Sequence, residues 1–180
     1  MAELMQLASR TDHPLLARGE ERTRNQFLTF ALGGEVMAME IRFSKEILQY
    51  GGLTEVPLMP PAVRGVINLR GAVVPVIDLA ERLGRRPQPV DRHTCIVILD
   101  VEENGDGMVM GIVVDQVKEV LEIADTEIDP APAFGSNLRP EFIQGVGKVR
   151  GQFILLLDIN RVLSIEEIGS LALGHSGSTD

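Results

Sequence analysis

The chain has 180 residues, 44% of them apolar, which is material for one domain or two small ones with a buried core. Its formal charge of −9, with basic residues scattered, argues against a nucleic-acid ligand, and no uncharged apolar run nears the roughly 18 residues that span a bilayer. One cysteine, Cys95, excludes an internal disulfide, and the absence of tryptophan leaves few platforms for stacking bases or sugars.

Residues 1–24 are polar, lack periodicity and carry no apolar core of a secretory signal, so they read as a flexible extension. The first β-branched runs are Phe27–Leu32 and Glu35–Ile41, joined by a Gly33-Gly34 turn in which positive φ is cheap. Val73–Ile77 follows an Arg70-Gly71 turn and ends at Asp78, before a short helical pattern, LAERLG. Thr94–Val101 and Met108–Val114 flank the Glu103-Asn104-Gly105-Asp106-Gly107 loop, and Val117–Ile123 comes next. Val146–Val149 and Phe153–Leu157 flank Arg150-Gly151, and Asp158 introduces INRVLS and a C-terminal helix over about 159–172. A polar tail, 174–180, closes the chain.

One stretch is nearly written twice. RGVINLRGAVVPVIDLAERL (Arg64–Leu83) recurs 80 positions later as QGVGKVRGQFILLLDINRVL, keeping Gly65, Val66, Arg70, Gly71, Asp78 and Leu83 as Gly145, Val146, Arg150, Gly151, Asp158 and Leu163. Upstream, VMAMEIRFSKEIL (36–48) lies over VMGIVVDQVKEVL (109–121) at an offset of 73, with Lys45-Glu46 on Lys118-Glu119. The growing offset places extra residues between Asp129 and Glu141, in a surface loop. Several runs, CIVIL, GIVV and FILLL, are apolar at nearly every position, which predicts burial on both faces. The chain therefore reads as mainly β: two small barrels packed side by side, the first over about 25–88 and the second over about 92–160.

The search for chemistry is mostly negative. His13, His93 and His175 are far apart and form no metal site, and no HExxH, CxxC, GxSxG or phosphate-loop pattern is present. Cys95 sits among aliphatics, so with His93 it reads as packing beside a surface histidine and not as a catalytic dyad. Asp78 and Asp158 suit helix N-caps, and capping explains both copies at once; a small hydrolase built on the pair is the remote alternative. Arg70, beside its turn, is a candidate for a bidentate carboxylate pair with Glu46.

At these residues the chain resembles the CheW family of bacterial chemotaxis coupling proteins. RGVINLRGAVVPVIDLAERLG carries the likeness, supported by FLTFALGGEVMAMEI, GIVVDQVKEVLEI, DPAPAF and GQFILLLDINRVLS, over about 25–170. The resemblance implies two five-stranded SH3-like β-barrels with short helices and a C-terminal helix. It implies a non-enzymatic adaptor without cofactor or metal, cytoplasmic and recruited to receptor arrays. Its partners would be the regulatory domain of a CheA-like histidine kinase and the cytoplasmic tip of a methyl-accepting chemoreceptor. A CheW-like scaffold of a type IV pilus or other chemosensory pathway is the alternative. Carried over position by position, Glu46 and Arg70 are receptor-coupling residues. Ile41, Ser44, Cys95 and Val117 line a groove between the barrels, and Gly111 lies beside it. Ser44 departs from the aliphatic residue common there, and the N-terminal extension is not covered.

Overall fold

A computed structural model describes residues 26–103, 105–131, 138–164 and 167–168. Its strands are β1 (Gln26–Leu32), β2 (Glu35–Glu40), β3 (Ser44–Gln49), β4 (Val63–Leu69), β5 (Ala72–Asp78), β6 (Cys95–Glu103), β7 (Asp106–Val114), β8 (Gln116–Glu122), β9 (Ile128–Asp129), β10 (Ile143–Val149) and β11 (Gln152–Leu157). Single helical turns, α1 (Leu79–Arg82) and α2 (Ile159–Val162), follow β5 and β11. The expected mainly β architecture is present. The expected extension 1–24 and tail 174–180 lie outside the described residues, as does most of the C-terminal helix beyond α2.

The strands form two sheets, ordered β8-β1-β2-β11-β10-β9 and β3-β6-β7-β5-β4. Under the repeat, β1 and β2 correspond to β6 and β7, β3 to β8, β4 to β10 and β5 to β11. The two orders are then the same, but each half has lent its first hairpin to the other half's sheet. The chain leaves the first sheet at the 3-10 turn Ile41–Phe43 to pair β3 with β6, and returns after β7, at Asp115, to pair β8 with β1. Parallel joints, β11 with β2 and β5 with β7, stitch the lent hairpins in. The boundaries 25–88 and 92–160 are therefore corrected: one sheet draws on residues 44–114, and the other on 26–40 together with 116–157. The repeat showed two units; it could not show which hairpin each unit holds.

Neither sheet closes into a continuous barrel ladder among the described residues. The physical reason recurs in both. The outer edge of β4 is already occupied by Thr54, whose N–H and carbonyl exchange hydrogen bonds with Val66 at 2.8 and 2.9 Å. The outer edge of β10 is occupied by β9, which sets Asp129 opposite Val146. This close approach also explains one repeated glycine pair. A Cβ on Gly65 would lie 2.5 Å from the Thr54 carbonyl oxygen, and one on Gly145 would lie 2.9 Å from that of Asp129.

Burial follows strand alternation. Leu28, Phe30, Leu32, Met37 and Met39 from one sheet meet Val97, Leu99, Met110, Ile112 and Val114 from the other in a shared core, which α1 and α2 complete with Leu79, Leu83, Ile159 and Val162. The opposite faces fill each sheet's own interior: Val74, Val76, Ile96 and Ile98 in one, Phe27, Ala38, Ile154 and Leu156 in the other. CIVIL, GIVV and FILLL are apolar throughout because both of their faces are covered.

Because each sheet needs strands from both halves, the isolated segment 26–90 is expected to show an unfolded far-UV circular dichroism spectrum. A cooperative thermal transition in that fragment would contradict the exchange. Gly65→Ala is expected to cost about 1–3 kcal/mol in urea unfolding, since backbone and not a pliable side chain blocks the new methyl.

Candidate partner-binding site

The β4–β5 hairpin closes on a two-residue turn, Arg70-Gly71, between the paired Leu69 and Ala72. Both turn residues have positive φ, 50° and 88°, the type I′ pattern that matches strand twist. Arginine is an unfavoured choice for the first of these positions, where asparagine, aspartate or glycine is the rule. The Asn68 side-chain oxygen accepts the Gly71 N–H at 2.9 Å and supports the turn. From there the Arg70 guanidinium reaches edge strand β3 and grips Glu46 with two contacts, Nη2 to Oε2 at 2.5 Å and Nη1 to Oε1 at 3.5 Å. The pairing expected of Arg70 and Glu46 is therefore formed. Glu46 is largely covered while the arginine side chain is 72% exposed, so a fixed cation is held out at the end of the sheet. The hydrogen bond that Arg70 donates to Glu46 raises the guanidinium pKa further and keeps it charged.

The other sheet carries a weaker copy. Arg150, with φ of 51°, stands 3.6 Å from Glu119 on β8, a single contact between two more exposed side chains. The two hairpins also present apolar residues at matching positions, Val73 and Phe153, both mostly exposed, with the Lys148 ammonium over the Phe153 ring.

The remaining expected groove residues lie deeper. Ile41, Cys95 and Val117 are almost wholly buried in the core shared by the sheets. Gly111 is buried too, where a Cβ would fall 2.9 Å from Ile96. Ile41, Cys95 and Val117, expected along the groove, face the core shared with the second sheet, and Gly111, expected beside the groove, faces the interior of its own sheet against Ile96 and Val76. Ser44 is half-buried on β3, opposite Leu99, so Ser44, Glu46 and Arg70 form the accessible set.

Sequence reasoning missed Arg64. Its Nε and Nη2 donate to the Asp78 carboxylate at 3.2 and 2.6 Å, and its Nη1 donates to the Tyr50 hydroxyl at 3.0 Å. It stands at the first letter of the repeated block, but the second copy has Gln144 there, so the repeat gave no signal. The two aspartates behave as caps: Asp78 Oδ1 accepts the Glu81 N–H at 3.2 Å and Asp158 Oδ1 accepts the Arg161 N–H at 3.3 Å. Each caps its own helical turn, which removes the reason to pair them as a hydrolase. Burial pushes the Cys95 thiol pKa up, its Sγ contacts the His93 carbonyl, and the His93 residue is exposed. That setting disfavours the thiolate a nucleophile needs. Among the described residues no His, Cys, Asp and Glu cluster could hold a metal, and no helix is long and apolar enough to cross a membrane.

A family model described as a CheW-like domain matches residues 26–167, from the first residue of β1 to Glu167. The chain belongs to the CheW family. It is 35% identical over 148 residues to the chemotaxis protein CheW of Klebsiella aerogenes, covering 82% of this chain and 87% of that one. With the Rhizobium meliloti protein of the same name it shares 34% over 143 residues, 79% and 89% of the two chains. The crystal structure of the scaffolding protein TtCheW from Thermoanaerobacter tengcongensis superposes with a TM-score of 0.70 at 27% identity, over 78% of this chain and 88% of the other. The fold and these relatives make the chain a chemotaxis scaffold protein of the CheW family, in line with the resemblance read from its repeated block.

Asp78→Ala removes a cap and strands the Arg64 guanidinium, whereas Asp158→Ala removes only a cap. Urea unfolding is expected to show losses of about 2–3 and about 1 kcal/mol respectively. Equal losses would mean that the Arg64 contact contributes nothing.

Proposed function

We propose that this protein is a cytoplasmic adaptor that couples the cytoplasmic tips of chemoreceptors to a CheA-type histidine kinase in receptor arrays. The observation that carries this reading is the bidentate Arg70–Glu46 pair at the open edge of β3. A guanidinium fixed by a largely covered carboxylate keeps its remaining donors for a partner, and edge strand β3 offers backbone groups beside it. A receptor tip is a helical hairpin, and an apolar helix face with a polar rim would be set in register by such a charge. Ser44 adds a small polar surface beside Glu46. Ile41, Cys95 and Val117 act beneath, by fixing the strands that carry the exposed groups. No catalytic step is required of any residue.

Arg70→Glu places two carboxylates together at the site without touching the core. The variant is expected to keep a melting temperature close to that of the parent and to lose receptor control of kinase autophosphorylation in a reconstituted ternary mixture. Unchanged receptor binding together with normal ligand control of autophosphorylation would overturn the assignment.

A further inference from the structure

Arg82 is a charged residue the fold has no evident need to bury. Its side chain is only 4% exposed, at the end of α1, and its Nε donates to the Val162 carbonyl of α2 at 2.6 Å. The guanidinium lies 4.8 Å from the centre of the Phe142 ring, and on the same ring a second guanidinium, that of Arg139, sits at 4.6 Å. Glu167 bridges the two cations, with Oε1 against Arg139 Nη1 and Oε2 3.4 Å from Arg82 Nη2. Arg139, and behind it Arg82, holds the Glu167 carboxyl below the usual carboxylate range. The next residue, Ile168, is buried and lines a cleft with Pro60, Pro61, Ala62, Glu81 and Arg82. The chain near its C-terminus thus lays one carboxylate and one aliphatic side chain into a seat built by residues 60–62, α1 and the 3-10 turn Pro140–Phe142.

The fit is incomplete. Arg82 Nη2 is buried yet makes no aligned hydrogen bond among the described residues, because the Glu167 contact has the distance of an ion pair without the geometry of a hydrogen bond. An unsatisfied buried donor on a charged group costs free energy that a better-placed acceptor would recover. With Glu167 withdrawn, Arg139 keeps Glu141 as its partner while Arg82 has no other carboxylate among the described residues, so the open seat calls for one acid and one aliphatic group.

We propose that this seat is a binding site for an acidic–aliphatic segment of a partner protein, and that Glu167 and Ile168 occupy it in cis as a displaceable strap. Strap and partner segment would compete for the same two guanidiniums and the same apolar cleft, so partner binding there displaces Glu167 and Ile168.

The probe is a fluorescein-labelled peptide of this chain's own residues 161–171, added to the full-length protein. The double variant Glu167→Gln, Ile168→Asp is expected to bind the peptide at least about tenfold more tightly than the parent does, as expected where a competing internal occupant is removed. Adding Arg139→Ala should reverse most of the gain. A folded double variant with no gain in affinity, or a gain insensitive to Arg139, overturns the proposal. A second measurement covers a double variant that fails to fold. In the parent, the Ile168 amide, which donates to the Ser164 carbonyl, must exchange by local opening at least about a hundredfold faster than amides of β6 and β7. Equal rates would mean a fixed structural clip, and the strap would be ruled out.

Discussion

The core between the two sheets is the constraint on which everything else rests. Twenty-odd side chains would leave it if the sheets parted, and most belong to strands whose other face is committed to a sheet interior. Such strands cannot slip by one residue without sending every core side chain into a sheet interior packed for a different set of shapes. The register of β3 against β6, and hence the place of Glu46 beneath Arg70, is inherited from this core. So is the position of α1, whose Leu79 and Leu83 are anchored there while its Arg82 is carried inward beside them.

The duplication shows what is framework and what is use. Both copies keep a glycine under a crossing backbone, an Arg-Gly turn with positive φ and an aspartate cap, because each answers a geometric demand of the fold. They part where nothing geometric holds them. Asn68 supports one turn and Lys148 stands over an exposed aromatic near the other; one ion pair is bidentate and the other is a single long contact. One pair holds its cation with two contacts, and its counterpart with one.

Much of this was legible in the residues. The strands buried on both faces announced themselves as unbroken aliphatic runs, and the paired turns and caps followed from spacing. Strands β3 and β4 did not stand out, because Ser-Lys-Glu-Ile-Leu-Gln mixes charge into an edge strand and Val-Arg-Gly-Val-Ile-Asn-Leu is broken by a glycine and an asparagine. The hairpin exchange was invisible, since two copies of one pattern read the same whether or not they trade strands. At the site, Arg70 and Glu46 were found because a repeated arginine beside a turn asks for a partner. Ile41, Cys95 and Val117 were placed along a groove by the family resemblance alone, which carries a position but not how deeply its side chain is buried. Arg82 escaped notice because nothing in LAERLG distinguishes an arginine that faces inward.

The traded hairpins also bear on ancestry. Cut between Leu83 and Cys95, the fold becomes two similar chains that exchange β1–β2 for β6–β7, which is the strand pattern of a domain-swapped homodimer. The connection through residues 84–94 turns that dimer into one molecule. A symmetric dimer must change both of its ends whenever it changes one. A fused one can keep a common scaffold and change each end separately, as the two-contact Arg70–Glu46 pair and the single Arg150–Glu119 contact show.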